Sequence, residues 1–160
     1  MSAHKPLEGV KVVELASFVA APTAGRMMAE MGADVIRVES TAGDPWRFYG
    51  ANCGLPITDE ENPLFDIYNL GKKDIQLNTK TPEGKEILFH LLDEADVFIT
   101  NNRLKSLVRS GLDYESLKDR FPKLIYGLVT GYGQTGPDVD APGYDGVAFF
   151  SRSGMLADMA

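Results

Sequence analysis

A single cysteine, Cys53, leaves this 160-residue chain no internal disulfide and no cysteine-cluster metal site. Its two histidines, His4 in the N-terminal tail and His90 in a helix-length segment, are too few for a multi-histidine zinc centre. No apolar run approaches the ~18 residues that a bilayer-spanning helix needs. The opening MSAHKPLEG also lacks the apolar stretch of a secretory signal. Together these absences predict a cytoplasmic protein with no membrane partner. Basic residues are outnumbered, 16 Lys and Arg against 23 Asp and Glu, and the resulting net charge of −7 argues against nucleic acid as a partner. Internal repeats and low-complexity segments are absent from the sequence.

What is there begins with two β-branched blocks, GVKVVELA (Gly9 to Ala16) and GADVIRVES (Gly32 to Ser40), on either side of one helix-length segment. Two buried-looking runs bracketing a single helix form a βαβ unit, which implies a parallel sheet. The first crossover of such a unit leads from the carboxyl end of a strand into a helix N-terminus, where phosphate-bearing ligands bind. A dinucleotide fingerprint needs G-x-G-x-x-G at that turn, yet the chain reads Ala20, Ala21, Pro22, Thr23, Ala24, Gly25. Glu39, ending the second strand, occupies the place of a ribose-binding acid. One glycine of three nevertheless argues against an NAD-dependent oxidoreductase.

The rest of the chain continues the alternation. Strands are predicted near residues 10–16, 34–39, 73–78, 96–100 and 123–129. Pro22 suits the first turn of a helix, with Ala24, Met27, Met28 and Met31 expected on its apolar side and Gly32 ending it. TPEGKEILFHLLDEA (Thr81 to Ala95) reads as a helix with Thr81 at the N-cap and Pro82 at N1. Ile87, Leu88, Leu91 and Leu92 then fall on one face and His90 points to solvent. Two short helices are expected in LKSLVRSG and YESLKDRF. The stretch from Thr41 to Pro63, which holds GDPWR, has no clear period and is of a length that covers a site or is disordered. After a glycine- and proline-rich loop, VAFFSRSGMLADMA reads as a helix or helix pair. The fold class is α/β, a Rossmann-like parallel sheet with flanking helices.

Charge is unevenly spread. Residues 71–109 carry seven Lys and Arg against six Asp and Glu, whereas the remainder is strongly acidic. Alternating charge on a solvated helix face accounts for such a segment, and so does a phosphate-binding surface.

The blocks PLEGVKVVELA, AAPTAG, GADVIRVES, GDPWR, NLGKKDIQLNTKTPEGKE, EADVFITNNR, GLDYESLKDRFPKLIYGLVTGYGQTGP and PGYDGVAFF, in this order and spacing, resemble the N-terminal half of the large domain of class III CoA-transferases. The similarity covers residues 6 to about 156. Thr100 to Lys105, where many members read E-N-F-R-P-G, together with ELASFVAAPTAGR and VTGYGQTGPDVDAPGYDGVAFFSRSG, resembles the anaerobic 2-hydroxyacyl or aryl-lactate branch. The resemblance implies an acyl-CoA:carboxylate CoA-transferase, with acyl-CoA and a small carboxylic acid as substrates and no metal. It implies that residues 1–160 are part of the large CoA-binding domain of a two-domain protein, that the chain is the first part of that protein, and that two copies interlock as a homodimer. An acyl-CoA racemase of the same superfamily and a non-catalytic CoA-binding fragment are the alternatives.

In that family an aspartate attacks the thioester to give a mixed anhydride, CoA re-attacks to give an aspartyl-CoA thioester, and the acceptor carboxylate repeats the cycle. A carboxylate suits this because its acyl derivatives stay activated. The resemblance places that aspartate beyond Ala160, so no catalytic residue is expected in this chain. Asp145 is expected to cap the helix that follows it, and Asp158 matches no motif. The same block-by-block match implies that Val19 and Ala20 line the adenine side of the first crossover. Leu77, Asn78, Thr79 and Lys80, with Asn101, Asn102 and Arg103, would contact nucleotide or pantetheine. Arg109 would pair with phosphate, as would Lys80, because a 3′-phosphate and a diphosphate need cationic donors. Many relatives carry a basic residue directly after the acid that ends the second strand; here Ser40 follows Glu39.

Overall fold

The computed structural model describes residues 4–159. Five strands form one sheet: β1 (Lys11–Leu15), β2 (Asp34–Glu39), β3 (Lys73–Gln76), β4 (Val97–Thr100) and β5 (Ile125–Leu128). Their order is β3-β2-β1-β4-β5 and all four pairings are parallel. The predicted strands are all present, and most are shorter at their ends. Their middles carry the β-branched and aromatic residues that suit a sheet buried on both faces.

Alternation along β1 sends Val12 and Glu14 to one face and Val13 and Leu15 to the other. Val13, Leu15, Val38 and Phe98 pack with Leu88 and Leu92 of helix α4 (Pro82–Asp93). Leu107 of α5 (Leu104–Ser110) and Leu117 of α6 (Tyr114–Leu117) complete that core. On the opposite face Val12, Val35 and Ile99 pack with Ala21 of α1 (Ala20–Glu30). Thr81 caps α4 by accepting the Gly84 N–H at 3.2 Å, with Pro82 in the first turn. Fewer than 2% of the Leu88 and Leu92 surfaces remain exposed, whereas Ile87 is 47% exposed, outside the face expected for it. His90 is exposed as expected.

Helix α1 departs from the reading of its methionines. Met27 and Met31 lie on the solvent side, 51% and 43% exposed. Its inward stripe is made instead by Ala21, Gly25 and Met28, at the i, i+4, i+7 spacing of a helix face. Small residues in that stripe bring the helix close to the sheet.

The stretch from Thr41 to Pro63 is not structureless. Trp46–Tyr49 forms one turn of helix, α2, followed by a 3₁₀ turn at Gly50–Cys53, and α3 (Pro63–Asn69) starts where it ends. Asn62 caps α3 by accepting the Phe65 N–H at 3.3 Å. The Trp46 ring stacks on Tyr49 and its indole N–H donates to the Leu64 carbonyl at 3.1 Å. Beyond β5, Gly131 and Gly143 meet backbone to backbone. A Cβ on either would fall within 2.5 Å of the other's Cα. The chain ends in a wide helical turn at Gly146–Ser151, where Asp145 accepts the Gly146 N–H at 2.9 Å, and a last turn, α7, at Met155–Asp158.

Candidate functional site

A strand order that reverses direction between β1 and β4 opens a crevice at their carboxyl ends. Side chains stitch the two ends together. Thr100 donates its hydroxyl to the Leu15 carbonyl at 2.7 Å. Asn101 accepts the Ser17 N–H at 3.0 Å and donates its amide to the Ser17 carbonyl at 2.8 Å. The next residue, Phe18, has φ +63°, and its N–H donates to the carboxylate of Asp44 at 3.1 and 3.3 Å. From there Val19 starts α1, its carbonyl accepting both the N–H and the hydroxyl of Thr23.

Beside this turn lies a cluster of charges that the sequence reading did not single out. Glu14 on β1 and Arg37 on β2 are register partners, and both side chains are fully buried on the face covered by α1. Arg37 pairs with Glu39 and Asp44, and with Asp74 of β3 at 3.1 Å. Arg47 bonds Glu39 at 2.8 and 2.9 Å and Asp74 at 2.6 Å. Both guanidinium groups lie against the Phe65 ring, 4.9 and 3.8 Å from its centre. Lys72 reaches Glu14 at 2.8 and 3.0 Å, the Pro22 carbonyl at 2.8 Å and Asn69 at 3.0 Å. Charged residues at inward positions of two adjacent parallel strands were the available signal.

Gly25 owes its identity to this cluster. A Cβ there would stand 1.8 Å from Glu14 Oε2. The lone glycine of AAPTAG therefore makes room for a buried carboxylate under α1 and not for a pyrophosphate above it. Glu39 is equally committed. It is 3% exposed and bound by two arginines, so it does not serve as a ribose acid, a physical argument against the NAD reading.

The cluster holds four carboxylates and three cations, so it carries one excess negative charge when all are ionised. Burial raises the Glu14 carboxyl above its ordinary range and lowers Lys72, each opposed by the other's charge. Burial also acts to raise Glu39, but hydrogen bonds from Arg47 and with Asp74 outweigh it and hold Glu39 low. Asp74 moves the other way: burial first, and then its hydrogen bond with Glu39, push it up to about 6. Folded Asp74 thus holds a proton that the unfolded chain releases near pH 4, so its favourable contribution is present at low pH and lost as pH rises through about 6. Asp74→Asn mimics the protonated form. In urea melts across pH, the variant is expected to gain on wild type from about pH 4 to about pH 6 and to hold that gain above pH 7. A difference independent of pH would mean that Asp74 does not titrate above its ordinary range in the folded protein.

The residues expected to hold CoA all follow strand ends or lie one helix further on. Val19 and Ala20 follow β1; Leu77, Asn78, Thr79 and Lys80 follow β3; Asn101, Asn102 and Arg103 follow β4. Parallel strands put these three segments on one edge of the sheet. Ala20, Asn78, Lys80, Arg103 and Arg109 are exposed, with Arg109 near the end of α5. Leu77 packs against the α4 core, and the Asn101 amide is engaged by the Ser17 peptide. The turn that carries Lys80 is held close to α4 because Gly84 has no Cβ, which would stand 2.2 Å from the Asn78 carbonyl oxygen. Asn78 also accepts the Lys80 N–H at 3.2 Å. A groove of about 390 Å³ lies nearby, lined by Arg47, Phe48, Thr58, Asp59 and Gln76 among others; none of the ten residues lines it.

A parallel sheet in this order, with a stitched crossover turn at its switch point, is the nucleotide-binding type of α/β domain. The chain belongs to CoA-transferase family III, whose family model matches residues 7–159. It is 54% identical over 147 residues to cinnamoyl-CoA:phenyllactate CoA-transferase of Clostridium sporogenes, covering 92% of this chain and 36% of that protein. It is 47% identical over 149 residues to (R)-2-hydroxy-4-methylpentanoate CoA-transferase of Clostridioides difficile, covering 93% of this chain and 37% of the relative. Among solved structures, a CAIB/BAIF family protein from Brucella suis superposes with a TM-score of 0.86 at 42% identity, over 96% of this chain and 40% of that one. The chain thus spans little more than a third of the length of these curated relatives. Among the described residues, no helix is long and apolar enough to cross a membrane.

Proposed function

We propose that this chain is the CoA-binding part of an acyl-CoA:carboxylate CoA-transferase. The whole protein would move CoA between an acyl-CoA and a 2-hydroxy or aryl-lactate acid in the cytoplasm. The observation that carries the reading is 54% identity, over 92% of the chain, to an enzyme named for phenyllactate. The identity to an enzyme named for 2-hydroxy-4-methylpentanoate agrees with it. On this reading residues 1–160 are the first part of the large domain. The nucleophilic aspartate, the rest of that domain and a small domain lie outside the chain, and the active form is an interlocked homodimer.

The division of labour follows from the chemistry. The chain's part is to hold CoA's phosphates and nucleotide at the sheet edge, with Lys80 and Arg109 as cationic donors and the backbone of Val19, Ala20 and Asn101 to Arg103 close by. The thioester carbonyl is then presented to a carboxylate supplied from elsewhere, and the resulting acyl aspartate stays activated for the return of CoA.

Calorimetry with CoA tests the binding half of the proposal. Lys80→Ala and Arg109→Ala are each expected to weaken binding by about 1–3 kcal/mol, less at high salt, the range of charge-assisted hydrogen bonds. Dephospho-CoA should lose less on whichever substitution removes the 3′-phosphate contact. Mixed with acyl-CoA, the 160-residue chain should form no hydroxylamine-sensitive adduct. CoA affinity in both variants equal to that of the wild type would make these cations ordinary solvated charges, and a stoichiometric adduct on Asp145 or Asp158 would place the nucleophile inside the chain.

A further inference from the structure

Phe18 is the single residue other than glycine with positive φ among the described residues. For a bulky aromatic side chain the left-handed region is uncommon and costs energy, so the surroundings must enforce it. Two side chains do so on successive peptides. Asn101, at the end of β4, grips the Ser17 peptide by both its N–H and its carbonyl. Asp44 grips the Phe18 N–H with both carboxylate oxygens. Asp44 is 3% exposed, pairs with the fully buried Arg37, and also accepts the Trp46 N–H at 2.8 Å. One buried carboxylate therefore ties together the end of β1, the interior of β2 and the start of α2. The very next residues, Val19 and Ala20, are those placed against CoA. The half-buried Phe18 ring packs against Trp46 and Tyr144 with centroids 6.2 and 5.9 Å away.

We propose that Asp44 is a positioning residue for CoA binding: by holding the Phe18 amide it keeps the crossover in the left-handed turn that sets where Val19 and Ala20 stand. The inference rests on the CoA-binding reading above. It separates two tasks that the carboxylate performs at once. Neutralising Arg37 concerns the stability of the cluster, and restraining Phe18 concerns the shape of the ligand-facing turn.

Glycine at position 18 separates the tasks experimentally, because glycine adopts positive φ without a clamp. CoA affinity is measured by calorimetry, and stability by urea melts, for full-length wild type, D44N, F18G and D44N/F18G, completing a double-mutant cycle. Asn keeps one acceptor but loses the bidentate carboxylate. D44N is expected to weaken CoA binding at least tenfold in the wild-type background and no more than about threefold in the F18G background, while its loss of stability persists in both. An equal loss of affinity in the two backgrounds, or none in either, would overturn the positioning role while leaving CoA binding by the wild type intact. Failure of the wild type to bind CoA would overturn the functional reading itself. Should D44N not fold, D44E, which keeps a charge for Arg37 but displaces the carboxylate from the Phe18 N–H, takes its place in the cycle: affinity lost in D44E and largely regained in D44E/F18G supports the proposal, and an equal loss in both backgrounds overturns it.

Discussion

Arg37→Met is expected to remove a third or more of the domain's stability. The guanidinium is fully buried and faces Glu14, Glu39, Asp44 and Asp74. Methionine fills much of the same volume, so the loss is chiefly electrostatic. Removing one partner of a buried ion pair costs about 3–5 kcal/mol, because the remaining charge is left uncompensated. Here three of the four carboxylates are themselves almost entirely buried, which puts the expectation at the upper end of that range. Against a typical total of about 5–15 kcal/mol, a loss near 5 kcal/mol removes a third or more of the stability. With a urea slope of about 1–3 kcal/mol/M, the midpoint at pH 7 is expected to fall by about 2 M or more. Protonation of the stranded acids offsets part of the loss, so the variant should recover relative to wild type toward pH 5. A midpoint within a few tenths of a molar of wild type would mean that the cluster tolerates an absent cation.

The second large effect is expected from the smallest change. Gly25→Ala adds one methyl group, in a helix interior where alanine is otherwise favoured by about 1 kcal/mol. That methyl would stand 1.8 Å from Glu14 Oε2, with Lys72 Cε 3.3 Å away on another side. The Glu14 carboxylate is not free to swing aside, because Lys72 holds it at 2.8 and 3.0 Å. Either α1 lifts from the sheet, opening the Val12, Val35 and Ile99 packing, or the buried Glu14–Lys72 pair breaks. Overpacking costs about 1–3 kcal/mol and rupture of a buried pair more, so a net destabilisation of about 3 kcal/mol is expected in spite of the better helix propensity. The double variant Gly25→Ala with Glu14→Gln distinguishes the two routes. If the charge pair is the obstacle, the neutral side chain reduces the penalty. If helix position is the obstacle, it does not.

Strands and helices were legible because each is announced by a local pattern. β2 lies where GADVIRVES puts it, and α4 starts where Thr81 and Pro82 say it should. The shared edge of the segments proposed to hold CoA was legible too, since parallel strands put all their carboxyl ends together. The charge cluster was not, because its members run from Glu14 to Asp74 and only the pairing of β1 with β2 sets Glu14 beside Arg37. Within α1 the apolar count pointed to the methionines. What decides the buried side is how closely the helix approaches the sheet, and that selects Ala21 and Gly25 over Met27 and Met31. The left-handed turn at Phe18 had no local sign, since its clamp is supplied from 26 residues away.

The glycine contact between positions 131 and 143 bears on how this fold tolerates variation in length. Two strands of backbone meeting without side chains form a neck that fixes both ends of the intervening segment. What lies between them is a tethered bulge, joined to the turn that follows by Arg152, which pairs with Asp138 at 2.8 Å and lies over the Tyr132 ring. Doubling such a bulge costs only about 0.6 kcal/mol in closure entropy. Added residues in that bulge are expected to leave the aromatic contact between Tyr144 and Phe18 in place.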